Sequence, residues 1–133
     1  MSTESERLGL AGYLFNYGNV YITDGGPDRV LKETLQPDGT YAQSTTAGGL
    51  YDPTGVAVDG SGNVVVTGQS DDSSGNSDYY TAKYAAADGA LLWEQRYIGP
   101  GNSDDIAAAV AVDASGNVVV TGHSMGSSGN YDY

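Results

Sequence analysis

The sequence predicts an all-β fold, and three observations carry this prediction. Glycine occurs 20 times, and tyrosine occurs 11 times against a single phenylalanine. Valine-rich runs alternate with short Gly, Asn and Asp clusters, a pattern typical of strands joined by tight turns. No segment shows a sustained helical period of apolar residues. The 133 residues are enough for one domain with a modest core.

One stretch occurs twice, at residues 56–70 and 110–124, and sets the spacing of the whole chain. The copies differ at two positions, Gly60/Ala114 and Gln69/His123. Each copy has a short apolar alternation, a polar turn that contains Gly-Asn, and a β-branched run. Because Gly and Asn adopt turn conformations that other residues resist, this pattern predicts a β-hairpin.

A weaker copy of the hairpin comes earlier, with Gly18-Asn19 in the place of Gly62-Asn63 and Gly116-Asn117. These markers lie 44 and 54 residues apart. Both spacings are near the roughly 40–50 residues expected for one four-stranded blade of a β-propeller. Asp-Gly turns at Asp38 and Asp88 fall at matching places, and they divide the rest of each repeat into two further strands.

The repeats form a single region, with approximate boundaries at residues 8–50, 51–104 and 105–133. The third repeat contains its first hairpin and stops at the threshold of its third strand. The predicted architecture is therefore consecutive four-stranded antiparallel β-propeller blades, about two and a half of them, forming a partial propeller. A ring needs about 4–8 blades. We expect a piece of a longer protein, ahead of several copies that complete a ring or a free-standing open array.

The charge balance argues against two classes of partner. The formal net charge is −12, and the five Lys and Arg residues are scattered, so we expect neither nucleic acid nor an anionic membrane as a partner. The chain has no cysteine and hence no disulfide framework or thiolate metal site. Residues 1–7 lack the apolar core of a signal peptide, and no stretch is long enough to span a bilayer.

Two parts of the chain resemble known propeller repeats. Residues 52–64 read Asp-Pro-Thr-Gly-Val-Ala-Val-Asp-Gly-Ser-Gly-Asn-Val and resemble the NHL-type repeat. The second repeat, with Gly-Asn-Val-Val-Val-Thr-Gly at 62–68, Asp78-Tyr-Tyr-Thr-Ala-Lys-Tyr84 and Trp93, is similar to the bacterial β-propeller repeat known as SBBP. The resemblance covers about residues 8–133. It implies a propeller whose first strands line a central channel, in a large bacterial surface or secreted protein, hence an extracellular or cell-envelope location.

One motif matches a catalytic pattern. Residues 122–126 read Gly-His-Ser-Met-Gly, which fits the G-x-S-x-G nucleophile elbow of hydrolases. The elbow needs a strand, a strained turn and then a helix. Here Gly-Ser-Ser-Gly-Asn follows, and His123, the single histidine, lies inside the motif, so the chain has no separate base. A structural turn is the better interpretation, and we expect no catalytic residue and no cofactor.

Six aspartates are weak candidates for calcium ligands: Asp59, Asp113, Asp71, Asp72, Asp104 and Asp105. The segment from Asp59 to Asn63 and its copy begin like a calcium loop but lack the glycine at the sixth position and the glutamate at the twelfth. Capping of the turn by the Asp side chain explains them better. The other four lie in the oxygen-rich loops 69–78 and 99–105, where solvated charge is the simpler explanation.

The sequence favours a non-catalytic interaction or scaffold module over an enzyme. Loops 69–78 and 99–105 are the expected contacts with a protein or carbohydrate ligand. Six tyrosines offer either a sugar-stacking surface or, more commonly, half-buried strand residues: 79, 80, 84, 97, 131 and 133.

Two alternatives stay open. One is part of a propeller enzyme, hydrolase or quinoprotein-like, whose catalytic residues lie mostly outside this chain. Ala86–Trp93 resembles the outer-strand signature of quinoprotein propellers, although packing of Trp93 as an apolar staple between blades suffices. The other is a self-assembling unit, a homo-oligomer whose copies complete the propeller.

Overall fold

The structure, a computed structural model, describes residues 13–16, 18–48 and 50–132. Among these residues there are eleven β-strands and no helix, so the predicted all-β class is confirmed. The strands are β1 (Tyr13–Asn16), β2 (Asn19–Asp24), β3 (Arg29–Leu35), β4 (Tyr41–Ala47), β5 (Gly55–Val58), β6 (Val64–Asp71), β7 (Ser77–Tyr84), β8 (Leu91–Tyr97), β9 (Asp105–Val112), β10 (Val118–Met125) and β11 (Tyr131–Asp132).

The strands form three antiparallel sheets in which neighbours in space are neighbours in sequence. Sheet 1 contains β1 to β4, sheet 2 contains β5 to β8, and sheet 3 contains β9 to β11. Because each connection is a hairpin, every sheet is a simple meander. None of the described residues lies in a helix long and apolar enough to cross a membrane.

The sheets are stacked with sheet 2 in the middle. Strand β5 contacts β1 and β2 of sheet 1, and β9 contacts β5, β6 and β7 of sheet 2. The main core lies between sheets 1 and 2 and is formed by Tyr21, Val30, Ala47, Leu50, Val64, Val66, Ala82 and Tyr84. In each strand these residues alternate with residues of the opposite face, as a pleated strand requires.

Sheets 2 and 3 approach each other closely at Gly55. A Cβ atom there would lie 3.1 Å from Ala109 Cα and from the Val110 nitrogen, so glycine permits the contact. Thr54 Oγ1 donates a hydrogen bond of 2.8 Å to the Ala107 carbonyl across the same interface. Strand β6 is thus covered on both faces, and its first four residues, Val64, Val65, Val66 and Thr67, are at most 2% exposed.

Half of the segment 69–78, expected as a long loop, is strand. Strand β6 runs to Asp71 and β7 begins at Ser77, and the ladder between them continues to the Asp71–Ser77 pair. The physical reason is the five-residue turn between them. Asp72 Oδ1 accepts hydrogen bonds from the Ser74 and Asn76 amides at 2.7 and 3.0 Å, and Gly75 has φ +85°. This closed turn brings its flanking residues into register.

Other predictions also shift by a few residues. Asp105, expected at the end of a loop, is the first residue of β9. His123 and Ser124, expected in a turn, lie inside β10. The third repeat contains the two-residue strand β11 where the sequence predicts only the threshold of a strand. The predicted apolar start at residues 8–12, and Tyr133, lie outside the described residues.

Candidate functional site

Connections from neighbouring sheets meet on one side of the molecule, which we call the loop surface. It is formed by the connections 25–28, 50–54, 72–76 and 98–104, together with the adjoining strand ends Asp71 and Ser77. The Asp52 amide donates a hydrogen bond of 2.9 Å to Asp28 Oδ1, which joins the first two connections. Gln69 Nε2 donates to Asp52 Oδ2 at 2.9 Å, so the end of β6 holds the second connection in place.

The structure brings together the two segments that the sequence predicts as contact loops. Asn76 Nδ2 donates to the Asn102 carbonyl at 3.1 Å, and the Ser77 amide donates to Asp104 Oδ1 at 3.2 Å. Segments that are more than twenty residues apart in sequence therefore share one continuous surface. The sequence contains no signal for this contact, because it depends on how sheet 3 stacks on sheet 2.

The backbone of the loop surface is strained at three positions. Among the described residues, the non-glycine residues with positive φ are Asp28 (+53°), Asp52 (+38°) and Asn102 (+43°). All three belong to the loop surface. Asp and Asn tolerate this conformation better than other side chains, and such strain concentrates at binding sites. The Leu50 amide donates to the Asp28 carbonyl at 3.1 Å and helps to hold that conformation.

The exposed charge of the loop surface is negative. Asp52 and Asp71 are exposed, and Asp28, Asp72 and Asp104 are half-buried. A hydrogen bond with Asp71, together with its charge, raises the pKa of the Tyr51 hydroxyl above its ordinary value. Two arginines are engaged in other contacts: Arg29 Nε pairs with Asp24 at 3.1 Å, and Arg96 Nη1 donates to Ser70 Oγ at 2.8 Å.

Two buried carboxyl groups lie beneath the loop surface. Asp105 is completely buried, and it accepts a hydrogen bond of 2.6 Å from the Gly99 amide and another from the Ser124 hydroxyl. It thereby ties the connection 98–104 to strands β9 and β10. Asp78 is also buried, and burial followed by the charges of Asp72 and Asp105 raises the pKa of its carboxyl. The sequence predicts a solvated loop at Asp105, and its burial contradicts this prediction.

The calcium candidate Asp59 caps its turn and forms an ion pair. Asp59 Oδ1 accepts the amides of Ser61 and Asn63 at 2.9 Å each, and its Oδ2 lies 2.6 Å from Lys83 Nζ. Burial alone would raise the pKa of Asp59, but Lys83 and the Asn63 and Ser61 donors hold it well below its ordinary value. No three His, Asp or Glu side chains within the described ranges are grouped so that they could hold a metal ion.

The second copy of this turn is built in the same way. Asp113 Oδ1 accepts the amides of Ser115 and Asn117 at 2.9 Å each, and Asn117 Nδ2 donates to Asp113 Oδ2 at 2.7 Å. The Asn117 side chain, then its backbone amide, lowers the pKa of Asp113. The predicted capping of the turn by its first Asp is confirmed in both copies. Asp72 caps a third turn of the same sequence pattern, which a comparison of residues 72–76 with 59–63 would have found.

The G-x-S-x-G motif lies in a setting unlike a nucleophile elbow. Ser124 is inside β10, and its hydroxyl donates to Asp105. The His123 ring packs edge-on against Tyr131, with ring centres 5.1 Å apart. A turn and the short strand β11 follow Met125, where an elbow requires a helix.

The tyrosines are divided between two faces of sheet 2. The rings of Tyr79 and Tyr97 lie 5.5 Å apart on the face toward sheet 3. On the opposite face Tyr84 is buried, and Tyr80 donates to Glu94 Oε2 at 2.6 Å. They therefore do not form one sugar-stacking surface. Tyr131 is exposed on sheet 3.

A groove of about 380 Å³, which we call the aromatic groove, separates the outer strands of sheet 2 from β10. Its walls include Tyr79, Trp93 and Tyr97 on one side and Val118 and Val120 on the other. Trp93, expected as a staple between blades, is 37% exposed here. The sequence contains no direct signal for this groove, because it arises where sheet 3 has fewer strands than sheet 2.

The sequence matches no model of a known protein family, and no relative is found among curated proteins. The fold and the loop surface define an all-β protein of stacked antiparallel meanders that presents an acidic, partly strained surface. The function is therefore argued from these features.

Proposed function

We propose that the chain is a non-catalytic interaction and scaffold module made of β-propeller blades of the SBBP and NHL type. Three features of the fold support this architecture. The sheets are meanders in chain order, their first strands lie near one another, and they stack face to face. A propeller arranges four-stranded sheets in this way around a central channel. By the same resemblance, the module belongs to a larger bacterial surface or secreted protein.

The loop surface is the binding surface in this proposal. The observation that carries it is the contact between residues 72–77 and 102–104, which makes one continuous surface from loops of two sheets. Binding residues are often carried by loops that a rigid scaffold positions. Since this surface presents the exposed Asp52 and Asp71 and the half-buried Asp28, the chemistry that fits it best is a basic segment of a partner protein.

A charge-matched pair of variants tests this assignment. The probe is a fluorescently labelled ten-lysine peptide, and its binding is followed by anisotropy at low and at moderate salt. In one variant Asp71→Asn is combined with Asp104→Asn on the loop surface. In the control, Asp38→Asn is combined with Asp88→Asn, in turns that lie off the loop surface. Both variants remove two charges and keep a side-chain oxygen as hydrogen-bond acceptor.

We expect the loop-surface variant to weaken binding by about tenfold or more, a difference of roughly 1.4 kcal/mol. The control should change binding by less than about twofold, because surface charges act mainly over about 10 Å at 0.1 M salt. Equal weakening in both variants would contradict the proposal, since attraction would then come from the net charge of −12 and not from this surface.

One observation favours a second candidate, a unit whose copies assemble. One face of sheet 3 is exposed although the matching face of sheet 2 is covered, and Val119 on it is 63% exposed. Light scattering of the native protein separates the two candidates. A single discrete oligomer that dissociates on Val119→Glu substitution would favour assembly, whereas a monomer would favour the interaction module.

A further inference from the structure

Strand β10 has an edge that its counterpart β6 does not have. Strand β6 pairs with β7 along its whole length, from Val64–Tyr84 to Asp71–Ser77. Strand β10 matches β6 at six of eight positions but pairs with β11 only at Ser124 and Met125. Along residues 118–123, no strand of the described part of the chain lies on that edge. Unpaired backbone groups of this kind are a template for another strand.

The aromatic groove lies next to this open edge. In sheet 2 the strands β7 and β8 continue the sheet beyond β6, and their face toward sheet 3 carries Tyr79, Trp93 and Tyr97. Tyr97 is 51% exposed, so this apolar wall is only partly covered. A strand added beside β10 would lie over this wall. The edge would supply main-chain hydrogen bonds, and the groove would supply apolar contacts.

A charge at the end of the same edge has no cationic partner. Asp59, at the corresponding position of sheet 2, forms an ion pair with Lys83 of β7, and both side chains are largely buried. Asp113 has the same turn and the same capping hydrogen bonds. It is exposed, however, and no Lys or Arg of the described residues pairs with it. The partner of Asp59 is carried by β7, and beside Val118–His123 the described residues contain no strand in the position that β7 has in sheet 2.

We propose that the open edge of β10 and the aromatic groove bind a β-hairpin with the residue pattern of β7–β8, and that a lysine of this hairpin pairs with Asp113. The hairpin continues the short ladder that β11 has already begun. Since Lys83 pairs in register with Val65, the lysine of the bound hairpin stands opposite Val119, close to Asp113. The proposal rests on the blade architecture of the proposed function, and not on its loop surface.

The probe is a synthetic peptide of residues 77–97 in which Trp93 is replaced by Phe. The protein then retains the single tryptophan of the mixture, which lies in the aromatic groove. We expect a saturable change in its fluorescence with one peptide bound per chain. Backbone amides of residues 118–123 should also gain protection from hydrogen exchange. An isolated hairpin is marginally stable in water, so the peptide becomes ordered on binding.

A double-mutant cycle tests the ion pair. Asp113→Asn in the protein and Lys83→Met in the peptide should each weaken binding about fivefold, and together no more than one alone. Asp113→Asn keeps the oxygen that caps the turn, and Asp38→Asn is the matched control, which should leave binding unchanged within about twofold. A peptide with Thr81→Pro lacks one main-chain donor and should not bind.

The proposal would be overturned if the tryptophan fluorescence showed no saturable change, or if the Thr81→Pro peptide bound as tightly as the original peptide. It would also be overturned if Asp113→Asn and Lys83→Met weakened binding independently of each other. The fourth such result is a stable oligomer of the protein that Asp113→Asn dissociates and the control substitution does not. The last would assign this edge to a second copy. Failure of the loop-surface test with normal peptide binding would contradict the proposed binding surface alone. The reverse outcome would contradict the hairpin site alone.

Discussion

The hairpins β5–β6 and β9–β10 have nearly the same sequence and very different surroundings. Val65 is 0% exposed, whereas Val119, its counterpart, is 63% exposed. The next pair on this face shows the same contrast, because Thr67 is buried and its counterpart Thr121 is exposed. Sheet 3 covers the first hairpin, while none of the described residues forms a sheet over the matching face of the second. Local sequence therefore determines the hairpin, and the neighbouring sheet determines which of its residues form a core.

The largest expected effect comes from removing the same methyl groups on each hairpin. Val65→Ala should lower the free energy of unfolding by about 2 kcal/mol, because it removes buried apolar surface between two sheets. Val119→Ala should change it by less than about 0.5 kcal/mol. Urea unfolding followed by circular dichroism measures both. Equal costs would mean that the face of β10 is covered in solution, which would break the comparison.

The next effect concerns the two capped turns. Asp59→Asn should lower the free energy of unfolding by about 2 kcal/mol, because it leaves Lys83 without its partner. The side chain of Asp59 is 8% exposed and that of Lys83 is 16% exposed, so water replaces the ion pair poorly. Asp113→Asn should cost clearly less, since its exposed turn keeps the oxygen that accepts the two amides, loses the hydrogen bond from the Asn117 side chain and loses no ion pair. Urea unfolding at pH 7 gives both values. A cost at Asp113 as large as that at Asp59 would show that a cation already pairs with it.

The difference in unfolding free energy between the wild type and Asp59→Asn should depend on pH. The folded-state pKa of Asp59 is below the value of about 3.9 for an unfolded Asp. The contribution of the carboxylate is therefore fully present above about pH 4 and is lost as the pH falls through the folded-state pKa. The gap between the wild type and Asp59→Asn should narrow from pH 7 to pH 2. A gap that is constant over this range would exclude the ion pair as its source.

The smallest effect tests hydroxyl groups. Thr67 Oγ1 lies 3.1 Å from Thr81 Oγ1 and donates to the Tyr80 carbonyl at 3.2 Å. Thr67→Val keeps the shape but removes one hydrogen-bond partner of the buried Thr81 hydroxyl and of the Tyr80 carbonyl, which should cost about 1 kcal/mol. Thr121→Val on the exposed face should be neutral or slightly stabilising. Thermal unfolding resolves the two, and a neutral Thr67→Val would show that water replaces the lost bonds.

The features that could be predicted from the sequence are those set by short-range patterns. Strand β3 occupies residues 29–35 as predicted, and the caps at Asp59 and Asp113 form as expected. Both depend on alternation and on turn chemistry within a few residues. The turn at residues 72–76 has the same pattern as residues 59–63 and could be predicted from it. The Ser and Asp residues that flank it favour a loop, and for that reason we expect a loop there.

The features that could not be predicted depend on how the sheets stack. Asp105 is buried between strands of sheet 3 and the connection that leads into them. The contact between Asn76 and Asn102, like the aromatic groove, brings together residues that are far apart in sequence. No local pattern carries that information. The sequence indicated the two loops as contact segments, but it did not indicate that they form one surface or that the backbone of this surface is strained.

The stacking of the sheets has a direction. Sheet 2 presents its Val64 and Val66 face to sheet 1 and its Val65 and Thr67 face to sheet 3. Each contact between neighbouring sheets therefore joins two different faces, in a head-to-tail manner. A pair related by two-fold symmetry would instead place two identical faces together. Heterologous contacts of this kind generate closed rings when the rotation per unit returns to its start and open filaments when it does not. A substitution that enlarges Gly55 would push sheets 2 and 3 apart and alter the rotation between them, and with it the shape of any assembly built by repeating this contact.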